Sequence, residues 1–158
     1  MEVLELEGTS YTPKVVFDVK NKVFEITGDS RPEDTHTFYQ VLIDWLSNLD
    51  SPSVQGDLKF KFAFDYLNSS SSKFIFKLIS CLKNLESKGI NFSIDWFYDE
   101  PDIDMKELYR IASETLNFVR NTNYYETQTM NMISVYSCEE SHCLPPTDQV
   151  SLKRVSSS

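Results

Sequence analysis

Residues 58 to 66 alternate: Leu58, Phe60, Phe62, Phe64 and Tyr66 are apolar or aromatic, and Lys59, Lys61, Ala63 and Asp65 stand between them. A period of two sends successive side chains to opposite faces of an extended chain, so this stretch predicts a β-strand with one aromatic face turned inward. The period then changes. Phe74, Ile75, Leu78, Ile79, Leu82 and Leu85 recur at helical spacing until Gly89 supplies a stop. Between the two lies Asp65-Tyr66-Leu67-Asn68-Ser69-Ser70-Ser71-Ser72-Lys73, with four consecutive serines and no glycine. The chain leaves a buried strand, turns, and starts a helix on hydroxyl groups.

The same two periods order the rest. Leu4 and Leu6 among acidic residues predict a short edge strand. Val15, Val16, Phe17 and Val19 predict a strand over 14–19, Lys20-Asn21-Lys22 a tight turn, and Val23, Phe24 and Ile26 the returning strand of a hairpin that ends at Gly28. Ser30-Arg31-Pro32-Glu33 reads as a capping box with proline at an early helical position, where its missing amide costs nothing. The helix it opens carries Phe38, Val41, Leu42, Trp45, Leu46 and Leu49 as its buried stripe. A loop over 50–57 follows, and then Ile90, Phe92, Ile94 and Trp96 predict another strand. Asp99-Glu100-Pro101-Asp102-Ile103-Asp104 is an acidic turn into a third helix, with Met105, Leu108, Ile111, Ala112, Thr115 and Leu116 on its inner face. Residues 121–129 are polar, and Met130, Met132, Ile133, Val135 and Tyr136 predict a last strand. From Ser137 the periodicity is lost, and 150–158 reads as a tail.

Strands alternating with helices imply right-handed parallel crossovers, and the opening hairpin makes the sheet mixed. The expected fold is α/β: a mixed sheet of four to five strands covered by about three helices. A length of 158 residues fits one domain with a core of its own, placed at 1–136, with a flexible tail at 137–158.

Charge narrows the function classes. The chain carries a formal net charge of −9, and Lys59, Lys61, Lys73, Lys77, Lys83 and Lys88 are dispersed, so a phosphate backbone would be repelled and no nucleic acid is expected. Three cysteines argue against a disulfide scaffold. No basic-then-apolar start marks a signal peptide, and no apolar run approaches the ~20 residues of a membrane span, so the expectation is a soluble cytoplasmic protein.

Catalytic patterns are absent from the sequence. The histidines are His36 and His142; there is no Gly-x-Gly-x-x-Gly, no phosphate-binding loop with lysine, and no nucleophile elbow. A serine nucleophile at 69–72 has no base in its local sequence. Cys138, His142 and Cys143 resemble a zinc cluster, but adjacent His and Cys rarely face one ion and a fourth ligand is missing. Cys81 reads as a small apolar group on the second helix. The acidic turn reads as the cap of the third helix, through Asp102 or a neighbour, with contact to a basic partner as the alternative, and it lacks the spacing of a calcium loop. No enzyme, metal or cofactor is expected. Two readings of the serine run stay open. Serines at a helix start satisfy unpaired amides. A phosphate there would instead bring about −1.5 to −2 charges to a helix terminus that tolerates them, one turn from Lys73, and change the surface while leaving the fold intact. A competing class is a small hydrolase or anion-binding domain that uses the same turn.

Several segments, in order and at matching intervals from about Glu5 to Leu116, carry a family resemblance. They are Thr9-x-x-Thr12-Pro13, Phe17-Asp18, Gly28-Asp29-Ser30-x-Pro32-Glu33, Trp45-Leu46, Tyr66-Leu67-Asn68-Ser69-Ser70-Ser71-x-Lys73, and Trp96-x-Tyr98 before the acidic turn. Together they resemble the SiaC family of bacterial regulatory phosphoproteins, relatives in fold of the STAS-type anti-sigma-factor antagonists. The resemblance implies a STAS-like domain and a partner-switching scheme. It makes the residue directly after the asparagine, Ser69, the phosphorylated position. It also implies a dedicated Ser/Thr kinase, a metal-dependent phosphatase, and a target such as a diguanylate cyclase, bound only by the unphosphorylated form, with output in cyclic di-GMP and biofilm growth. Asn68 and Ser70 then shape the turn, Ser71 belongs to it, Lys73 meets part of the phosphate charge, and Tyr66 and Leu67 offer contact surface. Self-association into a homodimer is left open.

Overall fold

The alternating segments form a sheet, and the three- and four-residue spacings form the helices that cover it. The computed structural model describes residues 2–98 and 103–115, together with the backbone of three strands beyond them. The first five strands are β1 (Leu4–Leu6), β2 (Lys14–Asp18), β3 (Val23–Ser30), β4 (Leu58–Leu67) and β5 (Phe92–Tyr98). Helices α1 (Thr35–Ser47), α2 (Ser69–Ser87) and α3 (Ile103–Thr115) follow β3, β4 and β5 in turn. Tight connections make β1, β2 and β3 antiparallel, and the helical crossovers make β3, β4 and β5 parallel neighbours. This mixed unit with its three helices is the α/β arrangement that the sequence predicts.

The sheet then extends further than expected. Strands β6 (Asn123–Glu126), β7 (Asn131–Tyr136) and β8 (Lys153–Val155) complete the order β1-β2-β3-β4-β5-β7-β6-β8. β7 is the predicted last strand and pairs antiparallel with β5. β6 falls in the polar stretch 121–129, where Asn123-Tyr124-Tyr125-Glu126 shows no alternation that would predict a strand. β8 lies within the segment read as a tail.

The core sits between the helices and one face of the sheet. β4 buries Leu58, Phe60, Phe62 and Phe64 and exposes Lys59 and Lys61. Val15 and Phe17 of β2, Phe24 and Ile26 of β3, and Phe92, Ile94 and Trp96 of β5 are buried with them. Against these pack Leu42 and Leu46 of α1, Ile75, Leu78, Ile79, Leu82 and Leu85 of α2, and Met105, Leu108 and Ala112 of α3. Each buried Val, Leu, Ile, Phe or Met among them contributes about 1.5–3 kcal/mol relative to an exposed position. Among the aromatic rings, Phe17 and Phe60 meet edge to face at 5.9 Å and Phe62 and Trp96 at 5.4 Å.

Three local expectations are corrected. Ser30 does not cap α1. It is the last residue of β3, fully buried, and its carbonyl accepts the Asn68 amide at 3.0 Å. The strand therefore runs past the apparent capping box, and Asp34 caps α1 instead by accepting the Thr37 amide at 3.0 Å. The inner stripe of α1 includes Tyr39 in place of Val41, which is 44% exposed. On α3, Ile111 is exposed where the spacing placed it inside; Leu116, the Asp102 cap and the Cys138–His142–Cys143 cluster lie outside the described residues. The end of α2 is as predicted: Gly89 takes a positive φ of 78°, its amide bonds the Glu86 carbonyl, and the Ile90 amide reaches back to Leu85.

Candidate functional site: the turn from β4 into α2

A change of register prepares the turn. Gly28 pairs with Phe64, but the next residue, Asp29, pairs with Tyr66, so Asp65 is an extra residue on β4. Gly28 has a φ of 103°, a conformation that glycine reaches without steric cost. Such a bulge re-aims the side chains after it. Tyr66, expected to continue the buried aromatic face, is instead 50% exposed. Its ring lies 5.5 Å from the Arg31 guanidinium carbon, which stands 5.2 Å from the ring of Tyr11 on its other contact. Arg31 also pairs with Asp29 at 3.3 Å.

Asn68 performs the capping. Its backbone is extended, its side-chain oxygen accepts the Ser71 amide at 2.8 Å, and its carbonyl accepts the Ser72 amide at 2.9 Å as the first helical bond. The serine run predicts capping by hydroxyls, but the cap is an asparagine, and the four serine hydroxyls have three different surroundings. Ser71 is fully buried, and its Oγ accepts the Ser30 hydroxyl at 2.9 Å. Ser30 in turn shares a 2.6 Å bond with the Tyr39 hydroxyl. The Ser72 hydroxyl donates to the Asn68 carbonyl at 3.0 Å. Ser69 and Ser70 are exposed, and their hydroxyls make no hydrogen bond among the described residues. Lys73, one turn on from Ser69, is exposed as well and makes no ion pair among the described residues.

Tyr39 lies beneath the turn, with its ring stacked on Phe74 at 5.6 Å. Burial pushes its hydroxyl up to about 12, opposed by its bonds to Ser30 and Ser71, so the group is neutral and able to donate at any ordinary pH. On the other side of the turn, Tyr66, Leu67 and Ser72 face Asp104, Met105 and Leu108 across a shallow cleft between the starts of α2 and α3.

A nucleophile-and-base pair is not assembled here. His36 packs edge-on against Phe74 at 5.9 Å and bonds none of the four serines among the described residues. Among the described residues no group of three His, Cys, Asp or Glu side chains could hold a metal ion, and no helix is long and apolar enough to cross a membrane. The structure places Tyr66, Leu67, Asn68, Ser69, Ser70, Ser71 and Lys73 at this turn; Ser71 alone of them is fully buried, and Leu67 packs partly against the core. Ser30 and Tyr39 are the participants that local sequence does not reveal. Ser30 has the spacing of a helix cap, and nothing in that spacing says that it meets a serine 41 residues later.

Comparison with known proteins points in one direction. The model of a family described as SiaC family regulatory phosphoprotein matches residues 6–133. A protein of Pseudomonas aeruginosa strain UCBPP-PA14 is 28% identical over 118 residues, 75% of this chain and 93% of that protein. Among solved structures, apo-SiaC from Pseudomonas aeruginosa superposes with a TM-score of 0.61 at 28% identity, covering 73% of this chain and 93% of that one. SiaC of the same organism in its complex with the diguanylate cyclase SiaD, which it activates, gives a TM-score of 0.62 at 28% identity over 70% of this chain and 90% of that one.

Proposed function

The chain belongs to the SiaC family of regulatory phosphoproteins, and we propose that it is a binding protein whose hold on a signalling enzyme is set by phosphorylation of Ser69. One observation carries this reading. Ser69 occupies the first position of α2 with an exposed hydroxyl that makes no hydrogen bond among the described residues, while Asn68 caps the helix. A phosphate can therefore be added without removing any contact that holds the fold. The modification changes the surface charge by about −1.5 to −2 and leaves the core alone. Ser71 and Ser72 already use their hydroxyls, which favours Ser69 and Ser70 as acceptors in this reading. Family resemblance selects Ser69, the residue directly after the asparagine.

The target is a diguanylate cyclase, by analogy with the SiaC–SiaD complex of Pseudomonas aeruginosa. The unphosphorylated form binds and activates it, a cognate kinase adds the phosphate, and a metal-dependent phosphatase removes it, all in the bacterial cytoplasm. This chain catalyses no step. Tyr66, Leu67, Ser70 and Lys73 form the contact surface around the switch, with Lys73 meeting part of the phosphate charge. Asn68 and Ser71 hold the turn from below. In a pull-down from the native bacterium with wild type, Ser69→Ala and Ser69→Asp, read by mass spectrometry, the first two retain the cyclase and the third loses it. Equal retention by all three would leave Ser69 as a helix residue with no switching role.

A further inference from the structure

Four adjacent serines are chemically alike, so an enzyme that modifies one of them depends on how they are presented. Successive residues of an α-helix point about 100° apart around its axis. Fixing the direction of one serine in the first turn therefore fixes the other three.

Ser71 is the one that is fixed. Its hydroxyl is fully buried and bonded to Ser30 at the end of β3, and Ser30 is bonded to Tyr39 of α1. Ser30 and Tyr39 are themselves fully buried, and Tyr39 is further held by stacking on Phe74, which sits one turn along α2. Three hydroxyls thus tie the first turn of α2 to two other elements. Buried hydroxyls left without partners are costly, so the closed chain favours one rotation of that turn over its alternatives. In that rotation Ser69 and Ser70 face solvent, and Ser72 is turned back onto the Asn68 carbonyl.

We propose that Ser30 and Tyr39 are specificity-determining residues for phosphorylation: their hydroxyl chain to Ser71 presents Ser69 and Ser70 and withholds Ser71 and Ser72. The proposal rests on the phosphorylation reading above and adds what selects the acceptor. It also gives a function to the Gly28-Asp29-Ser30-x-Pro32-Glu33 segment, which the structure removes from helix capping.

The test uses the full chain as wild type, Tyr39→Phe and Ser30→Ala, isolated from the native bacterium, with the phosphate located among the four serines by electron-transfer fragmentation. Tyr39→Phe removes one oxygen and keeps the ring, so it preserves the core. Amide exchange on the unphosphorylated proteins supplies a second reading that needs no kinase. Wild type is expected to carry phosphate on Ser69 and Ser70 only. In either variant the share on Ser71 and Ser72 rises by about fivefold or more, as loss of one hydrogen bond implies. The amides of Ser71 and Ser72, which Asn68 holds, exchange faster by a similar factor, while those of Leu78 to Leu85 do not change. Phosphate on Ser71 of the wild type, or an unchanged distribution in both variants with Ser69 still modified, overturns the proposal and leaves the switch standing. Absence of phosphate from all four serines in the wild type removes the switch and this inference together.

Discussion

Asn68 shows how far a single residue decides the behaviour of the turn. Because its side chain and not a serine accepts the Ser71 amide, Asn68→Ala should lower stability by about 1 kcal/mol, while Ser69→Ala should stay within about 0.5 kcal/mol. Urea unfolding of the two variants checks the difference. Tyr39 makes a pH-dependent contribution. Its folded value is raised to about 12 from an ordinary 10, so the neutral hydroxyl favours the folded state. The associated stability is complete below about pH 10 and is lost as pH climbs from there through the folded value, by as much as about 3 kcal/mol. Unfolding curves taken between pH 8 and 11 should fall more steeply for wild type than for Tyr39→Phe, and parallel curves would show that the hydroxyl is not buried. At this scale the sequence was only partly legible. The serine run marked the turn, yet the burial of Ser71 depends on Ser30 and Tyr39, which no local pattern connects to it. Helical spacing selects Val41 over Tyr39 because it ranks apolar residues first, and burying a tyrosine requires a partner for its hydroxyl.

Among the elements, the buried stripe and the end of α2 could be read from the sequence, while its cap is Asn68 and not a serine. Asn68 and Gly89 bound it, and the predicted stripe is the buried one. The start of α1 could not, because Ser30 and Glu33 have capping-box spacing while β3 pairs with β4 through Ser30. A strand held by a neighbour overrides a local capping preference, and the first good cap beyond it, Asp34, takes over. The other end of α1 is finished by a residue from another element. Lys88, just past α2, donates from Nζ to the Ser47 and Leu49 carbonyls at 3.0 Å each. A cation at a helix C-terminus satisfies carbonyls that have no helical partner and opposes the negative end of the dipole. Lys88→Met keeps the stem and removes both bonds, and it should cost about 1–2 kcal/mol in thermal or urea unfolding. No loss would mean that water serves those carbonyls equally well.

In the whole molecule, the α/β arrangement followed from the order of periods along the chain: a hairpin, then strands alternating with helices. What the order of periods did not contain was the continuation of the sheet past β5, because Asn123–Glu126 and Lys153–Val155 are short and lack alternation. The functional layout follows from the fold. β3 and β4 run parallel and end side by side, joined by the Asn68 amide on the Ser30 carbonyl, and α2 begins at that edge. The exposed Ser69 hydroxyl thereby stands at the edge of the paired strands in a chain whose net charge is already −9. Under the proposed switch, a phosphate would add to that charge at one place, where a partner docking on the unmodified turn would meet it directly. The decisive measurement is the activity and binding of the host's diguanylate cyclase with two purified forms of this chain, one unmodified and one carrying phosphoserine inserted at position 69 during translation. The unmodified form should bind the cyclase and raise cyclic di-GMP synthesis, and the phosphorylated form should bind at least about tenfold more weakly, a difference of about 1.4 kcal/mol, with loss of activation. Equal binding and equal activation by the two forms would contradict the account.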